Sequence, residues 1–126
     1  MAIREPADIH AAVEEAFNAG DVEALVALYE KDARMMKPDG TLAEGADAIR
    51  EQWQGFLMMA GPSGRMTLKT RFVAQTDDIA LLRNDWSFTS PDSEMSSSAA
   101  EVVRRQPDGT WLYIIDHPFG SSEMIP

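Results

Sequence analysis

The sequence predicts an α+β fold, helices first and an antiparallel sheet after, and three observations carry that expectation. Apolar residues recur at helical spacing in three stretches of the first half. After residue 64 the pattern changes to strand-like alternation. Short polar turns join the later segments, which suits consecutive antiparallel strands with helices packed on one face. The chain has 126 residues and a mass of 13.9 kDa, 44% of them hydrophobic. A chain of this length buries roughly two-thirds of its unfolded surface, enough for one core. With neither repeat nor linker, residues 1–126 are expected to form one domain, its core about 7–118 and a tail at 119–126.

Pro6 suits the first turn of a helix, and Ile9, Val13, Ala16 and Phe17 follow at i, i+4, i+7 and i+8. On that stripe His10 is placed away from the apolar face. Asn18-Ala19-Gly20 ends the helix, and Asp21 offers a carboxylate to the free amides of a second helix carrying Leu25, Leu28 and Tyr29. Gly45-Ala46-Asp47 opens a third, with Ile49, Trp53, Phe56 and Leu57 as its stripe. Strands are expected at 33–37, briefly at 41–42, and at 65–75, 79–89, 98–106 and 111–117. The Ser-, Pro- and Asp-rich run 89–98 reads as a loop or hairpin tip, and Pro107-Asp108-Gly109 as a turn. Both parities of 111–117 are apolar, so both faces of the sheet are expected to be covered, the outer one by a second copy of the chain in a homodimer.

Eleven basic against twenty-one acidic residues give a net charge of −10, with −7 in residues 1–63 and −3 in 64–126. That balance opposes nucleic acid and anionic membranes, whose affinity comes from Lys and Arg. The absence of Cys excludes disulfides, thiolate zinc and Cys nucleophiles. Two separated His and no carboxylate-cage motif leave no expected metal site. No serine lies in a Gly-x-Ser-x-Gly context and no glycine loop follows a strand, so neither Ser-nucleophile nor nucleotide chemistry is expected. The first residues do not read as a signal peptide, and the expected address is cytoplasmic.

Ala16-Phe17-Asn18-Ala19-Gly20-Asp21-Val22-Glu23-Ala24-Leu25, the stretches 33–40 and 45–53, and Asp108-Gly109-Thr110-Trp111 together resemble the nuclear-transport-factor-2-like superfamily, which includes ketosteroid isomerases and SnoaL-like cyclases. The resemblance covers about residues 7–118. It implies a curved antiparallel sheet forming a cone-shaped half-barrel, with three N-terminal helices closing a pocket. It implies no organic cofactor. Ketosteroid isomerases use an Asp before a Pro as base, with a Tyr and a protonated Asp as oxyanion donors. Carried to this chain, the base position falls on Lys37, the Tyr position on Val13 and the donor-Asp position on Glu101. An ammonium cannot abstract a proton and Val cannot donate, so classical steroid isomerisation is not expected.

The candidate catalytic residues are therefore Asp116, Glu101 and Lys37. Asp116 and Glu101 lie on strands that the 107–109 turn makes neighbours, and the resemblance points both into the pocket, with Leu112 and Ile114 on the face of Asp116. Two close, buried carboxylates resist ionising together, which suits acid–base work. Lys37 would anchor negative charge. Phe17, Trp53, Phe56, Trp86, Phe88 and Ile114 are the expected apolar lining, with Asn84 as one polar group. The expected ligand is a small hydrophobic molecule, and the expected chemistry is of isomerase, dehydratase or cyclase type; a non-catalytic binding or dimerisation module is the alternative. His117 follows Asp116 and so faces the other way on a strand.

Overall fold

In the computed structural model, residues 2–120 are described. Helix α1 (Asp8–Asn18) buries Ile9, Ala12, Val13, Ala16 and Phe17, and Gly20, at φ 68°, turns the chain out of it. The carboxylate of Asp21 then accepts from the amide of Ala24, 3.1 Å away, and caps α2 (Val22–Val26). This second helix is shorter than its apolar spacing suggests. Tyr29 opens strand β1 (Tyr29–Met36) instead, because the amide of Tyr113 donates to the carbonyl of Leu28 at 2.8 Å and draws the backbone into the sheet. Strand β2 (Leu42–Glu44) precedes α3 (Ala46–Ala60), which buries Ile49, Trp53 and Ala60.

Four strands follow: β3 (Arg65–Thr76), β4 (Ile79–Thr89), β5 (Glu94–Arg105) and β6 (Trp111–His117). The polar run 89–98 is mostly strand, and the expected hairpin tip is confined to its middle. Thr89 pairs with Glu94 and Asp85 with Ser98, leaving only 90–93 as the tip, closed by Ser90 N–H to Ser93 O at 2.8 Å. Serines lack the propensity to form a strand alone, but a paired neighbour supplies the ladder.

The six strands form one open sheet in the order β2-β1-β6-β5-β4-β3. All neighbours are antiparallel except β1 and β6, which run parallel. The register shifts at three places, between Tyr29 and Arg34 where β1 meets β6 and at two bulges. Arg71 is the extra residue between Thr70 and Phe72, and Ile114 is the extra residue between Tyr113 and Ile115. The sheet curls around α1, packed on β3, and α3, packed on β1 and β2. Ile9, Leu25, Ile49, Leu82 and Val103 are wholly enclosed between them.

The bulge at Ile114 corrects the expected parity of β6. Trp111 and Tyr113 face inward, the extra residue resets the alternation, and Asp116 faces inward as well. Leu112 and Ile114 are half-buried and not on its face, and Ile115 is 50% exposed on the outside. No helix among the described residues is long and apolar enough to cross a membrane.

Candidate functional site

A cavity of about 40 Å³ lies between α1, α3 and the concave face of the sheet. Its walls are apolar and aromatic (Val13, Met35, Trp53, Phe56, Trp86 and others), and its polar groups are Tyr29, Asn84, Glu101, Tyr113 and Asp116. Glu101 on β5 and Asp116 on β6 are direct cross-strand partners, each only 5% exposed.

Each carboxylate is held by its own chain of groups. Trp53 on α3 donates its indole N–H to the hydroxyl of Tyr29 at 3.2 Å, and Tyr29 donates to Asp116 Oδ2 at 2.5 Å. Tyr29 reaches this place because β1 pairs it with Tyr113, whose ring centroid is 4.9 Å away. On the other side, His10 Nε2 lies 2.7 Å from Glu101 Oε1, His10 Nδ1 lies 2.7 Å from Thr70 Oγ1, and Asn84 Nδ2 stands 3.3 Å from His10 Nε2. The hydroxyl of Tyr113 faces Glu101 without a partner in hydrogen-bonding geometry, and Asn84 Oδ1 is likewise buried and unpartnered.

Burial pushes the Asp116 carboxyl well above the usual carboxylate range, and the neighbouring charge of Glu101 adds to the rise; the Tyr29 hydrogen bond opposes it. The Tyr29 and Tyr113 phenols are also raised, first by burial, then by the carboxylates they face. A carboxyl that holds its proton beside a second carboxylate can both deliver and accept one.

Of the residues picked from sequence, the fold brings Asp116, Glu101, Asn84, Trp53, Phe56 and Trp86 to the cavity. Phe17 and Phe88 pack behind the wall instead, Phe17 lying 6.1 Å from Trp53 and 6.4 Å from Phe88 between ring centroids. Lys37 lies beyond the end of β1, in a turn closed by its own amide to Thr41 O, and does not line the cavity. Ile114 is taken away by the bulge.

Tyr29, Tyr113 and His10 were not expected there. His10 is 3% exposed, contrary to its placement on the outer flank of the helix. A signal for it exists: His10, Glu14 and Asn18 follow at intervals of four and touch Thr70, Leu68 and Met66 of β3 in turn. Such spacing marks one face of a helix. Val13, where the isomerase resemblance implies a donor, does line the cavity, but the hydroxyls come from β1 and β6.

Among the described residues no group of three or more His, Asp or Glu is placed to hold a metal ion. No curated protein matches the chain. Solved structures with the same fold include a protein from Thiobacillus denitrificans assigned as a calcium/calmodulin-dependent protein kinase type II association domain (21% identity, 93% of this chain and 95% of that one, TM-score 0.79). An NTF-2 like protein of unknown function from Shewanella oneidensis (17%, 88% and 93%, TM-score 0.73) shares it as well. So does a ketosteroid isomerase-like protein from Erwinia carotovora atroseptica (23%, 91% and 91%, TM-score 0.68). The curved, unclosed sheet wrapped on its helices is thus the NTF2-like cone. The family model of the SnoaL-like domain matches residues 9–114, from the first turn of α1 to the bulge of β6, and the chain therefore belongs to the SnoaL-like family.

Proposed function

We propose that the protein binds a small molecule with an apolar body in this cavity and moves protons on it without a cofactor, in a reaction of isomerase, dehydratase or cyclase type. The observation that carries the reading is the cross-strand pair Glu101–Asp116, enclosed in an aromatic hollow. Asp116 gives and takes the proton. Tyr29, fixed by Trp53, supports the charge that forms on Asp116 when the proton leaves. Glu101, oriented by His10, is the second carboxylate, whose charge helps keep the proton on Asp116. Lys37 has no place in this chemistry, because it stands outside the cavity.

A carbon-detected NMR titration of labelled Asp and Glu side chains tests the proposal. Asp116 should titrate well above the ordinary carboxylate range, and Glu101→Gln should bring it down by removing the charge beside it. If Asp116 and Glu101 both titrate near ~4, as free carboxyls do, the acid–base reading fails.

The outer face supports a second proposal, that two copies pair sheet to sheet. Leu81, Val102 and Ile115 are register neighbours across β4, β5 and β6, and with Phe72 they leave an apolar band in contact with water.

A further inference from the structure

Several of the cavity's side-chain donors are already used by the protein, while most of its acceptors are not. The indole N–H of Trp53 goes to Tyr29, the Tyr29 hydroxyl to Asp116, His10 Nε2–H to Glu101, and the indole N–H of Trp86 to the carbonyl of Pro118 at 2.6 Å. Among the lining residues the Tyr113 hydroxyl, the Asn84 amide and, before a guest is seated, the proton held on Asp116 are left to donate. Against this stand two carboxylates, each accepting from one named side chain where it can take several. Asn84 Oδ1 and the oxygen of Tyr113 are two more acceptors, both 1% exposed and without a partner. Buried polar atoms are normally satisfied, so unpartnered ones in a cavity wall point to a guest that supplies what they lack.

We propose that the guest is a small organic cation, a primary ammonium on a short apolar body, seated with its N–H groups between Glu101 and Asp116 and its carbons against Trp53, Trp86 and Phe56. The proposal rests on the reading of the cavity as a small-molecule site and names the class of molecule. An ammonium brings three donors and no acceptor, the complement of this wall. Taking it out of water is costly unless a paired charge meets it, and here the Glu101 carboxylate does, joined by Asp116 as the seated cation drives its proton to solvent. Aromatic faces add cation–π attraction to the same guest. An anion would meet the charge of Glu101. The net charge of −10 draws cations toward the protein from a distance. The space of about 40 Å³ limits the body to a few carbons.

Three isosteric probes decide the matter: propylammonium, 1-propanol and propanoate, titrated into the nitrogen-labelled full chain at constant ionic strength. The indole N–H signals of Trp53 and Trp86 report occupancy. That of Trp111, which lies under the guanidinium of Arg105 and lines no part of this cavity, reports the fold. Propylammonium should shift the first two saturably and bind at least about tenfold more tightly than propanol, while propanoate shifts neither. Asp116→Asn should remove that preference. Glu101→Gln serves as the second variant if the first moves the Trp111 signal. Equal binding of propanol and propylammonium overturns the cation and leaves the small-molecule site standing. No shift from any probe overturns both.

Discussion

Asp116 makes the site sensitive to pH in a direction that can be worked out. Its proton is held more tightly in the fold than in the unfolded chain, so the folded state binds more protons between the ordinary carboxylate range and the raised value. Its contribution to stability is therefore greatest in acid and is lost as pH rises through that window. Asp116→Asn keeps the shape, carries no charge and still accepts from Tyr29. The variant should match the parent in acid and gain on it as pH rises above the ordinary carboxylate range, by up to about 1.4 kcal/mol per pH unit within the window. Urea denaturation of both proteins across pH measures the difference, and a constant difference would show that Asp116 ionises normally. The carboxylates were legible in the sequence because a turn and two strands suffice to pair them. The tyrosines were not, because Tyr29 lies in a helical pattern that a sheet contact overrides, and Tyr113 shares a face with Asp116 only through a bulge.

At the scale of elements, α1 behaves toward β3 as a neighbouring strand would. β3 is an edge, and its backbone would otherwise offer open hydrogen-bonding groups. Asn18 closes a two-bond clamp on Met66, accepting from its amide at 2.7 Å and donating to its carbonyl at 3.0 Å, and Glu14 accepts from the amide of Leu68 at 2.9 Å. Asn18→Ala should cost about 2 kcal/mol, two hydrogen bonds at roughly 1 each. Hydrogen exchange should speed up at Met66 while staying unchanged in β5. Uniform acceleration would mean that the clamp does not act locally. Helix positions and the order of strands followed from periodicity, since each is a repeating local pattern. The extent of β5 through 94–98 and the early end of α2 depend on partners far along the chain, so local composition could not reveal them.

Across the whole molecule, the band of exposed Leu81, Phe72 and Ile115, with half-buried Val102 between Leu81 and Ile115, bears on assembly. Light scattering at micromolar concentration should give twice the chain mass, and Ile115→Glu should halve it without moving the Trp53 and Trp86 indole signals. A monomeric parent protein would sink the sheet-to-sheet pairing. The parallel contact of β1 with β6 has a different consequence, one for how the chain is made. The final strand of the domain fills the middle of the sheet, between β1 and β5, so a ribosome that has delivered everything up to residue 110 has produced two fragments with no common ladder. Such distant pairing slows folding, because long stretches of chain must be closed before any contact rewards them. Tyr29 meets Asp116 only when that last insertion happens, and until then the chain displays the sheet's inner apolar surface to whatever surrounds it.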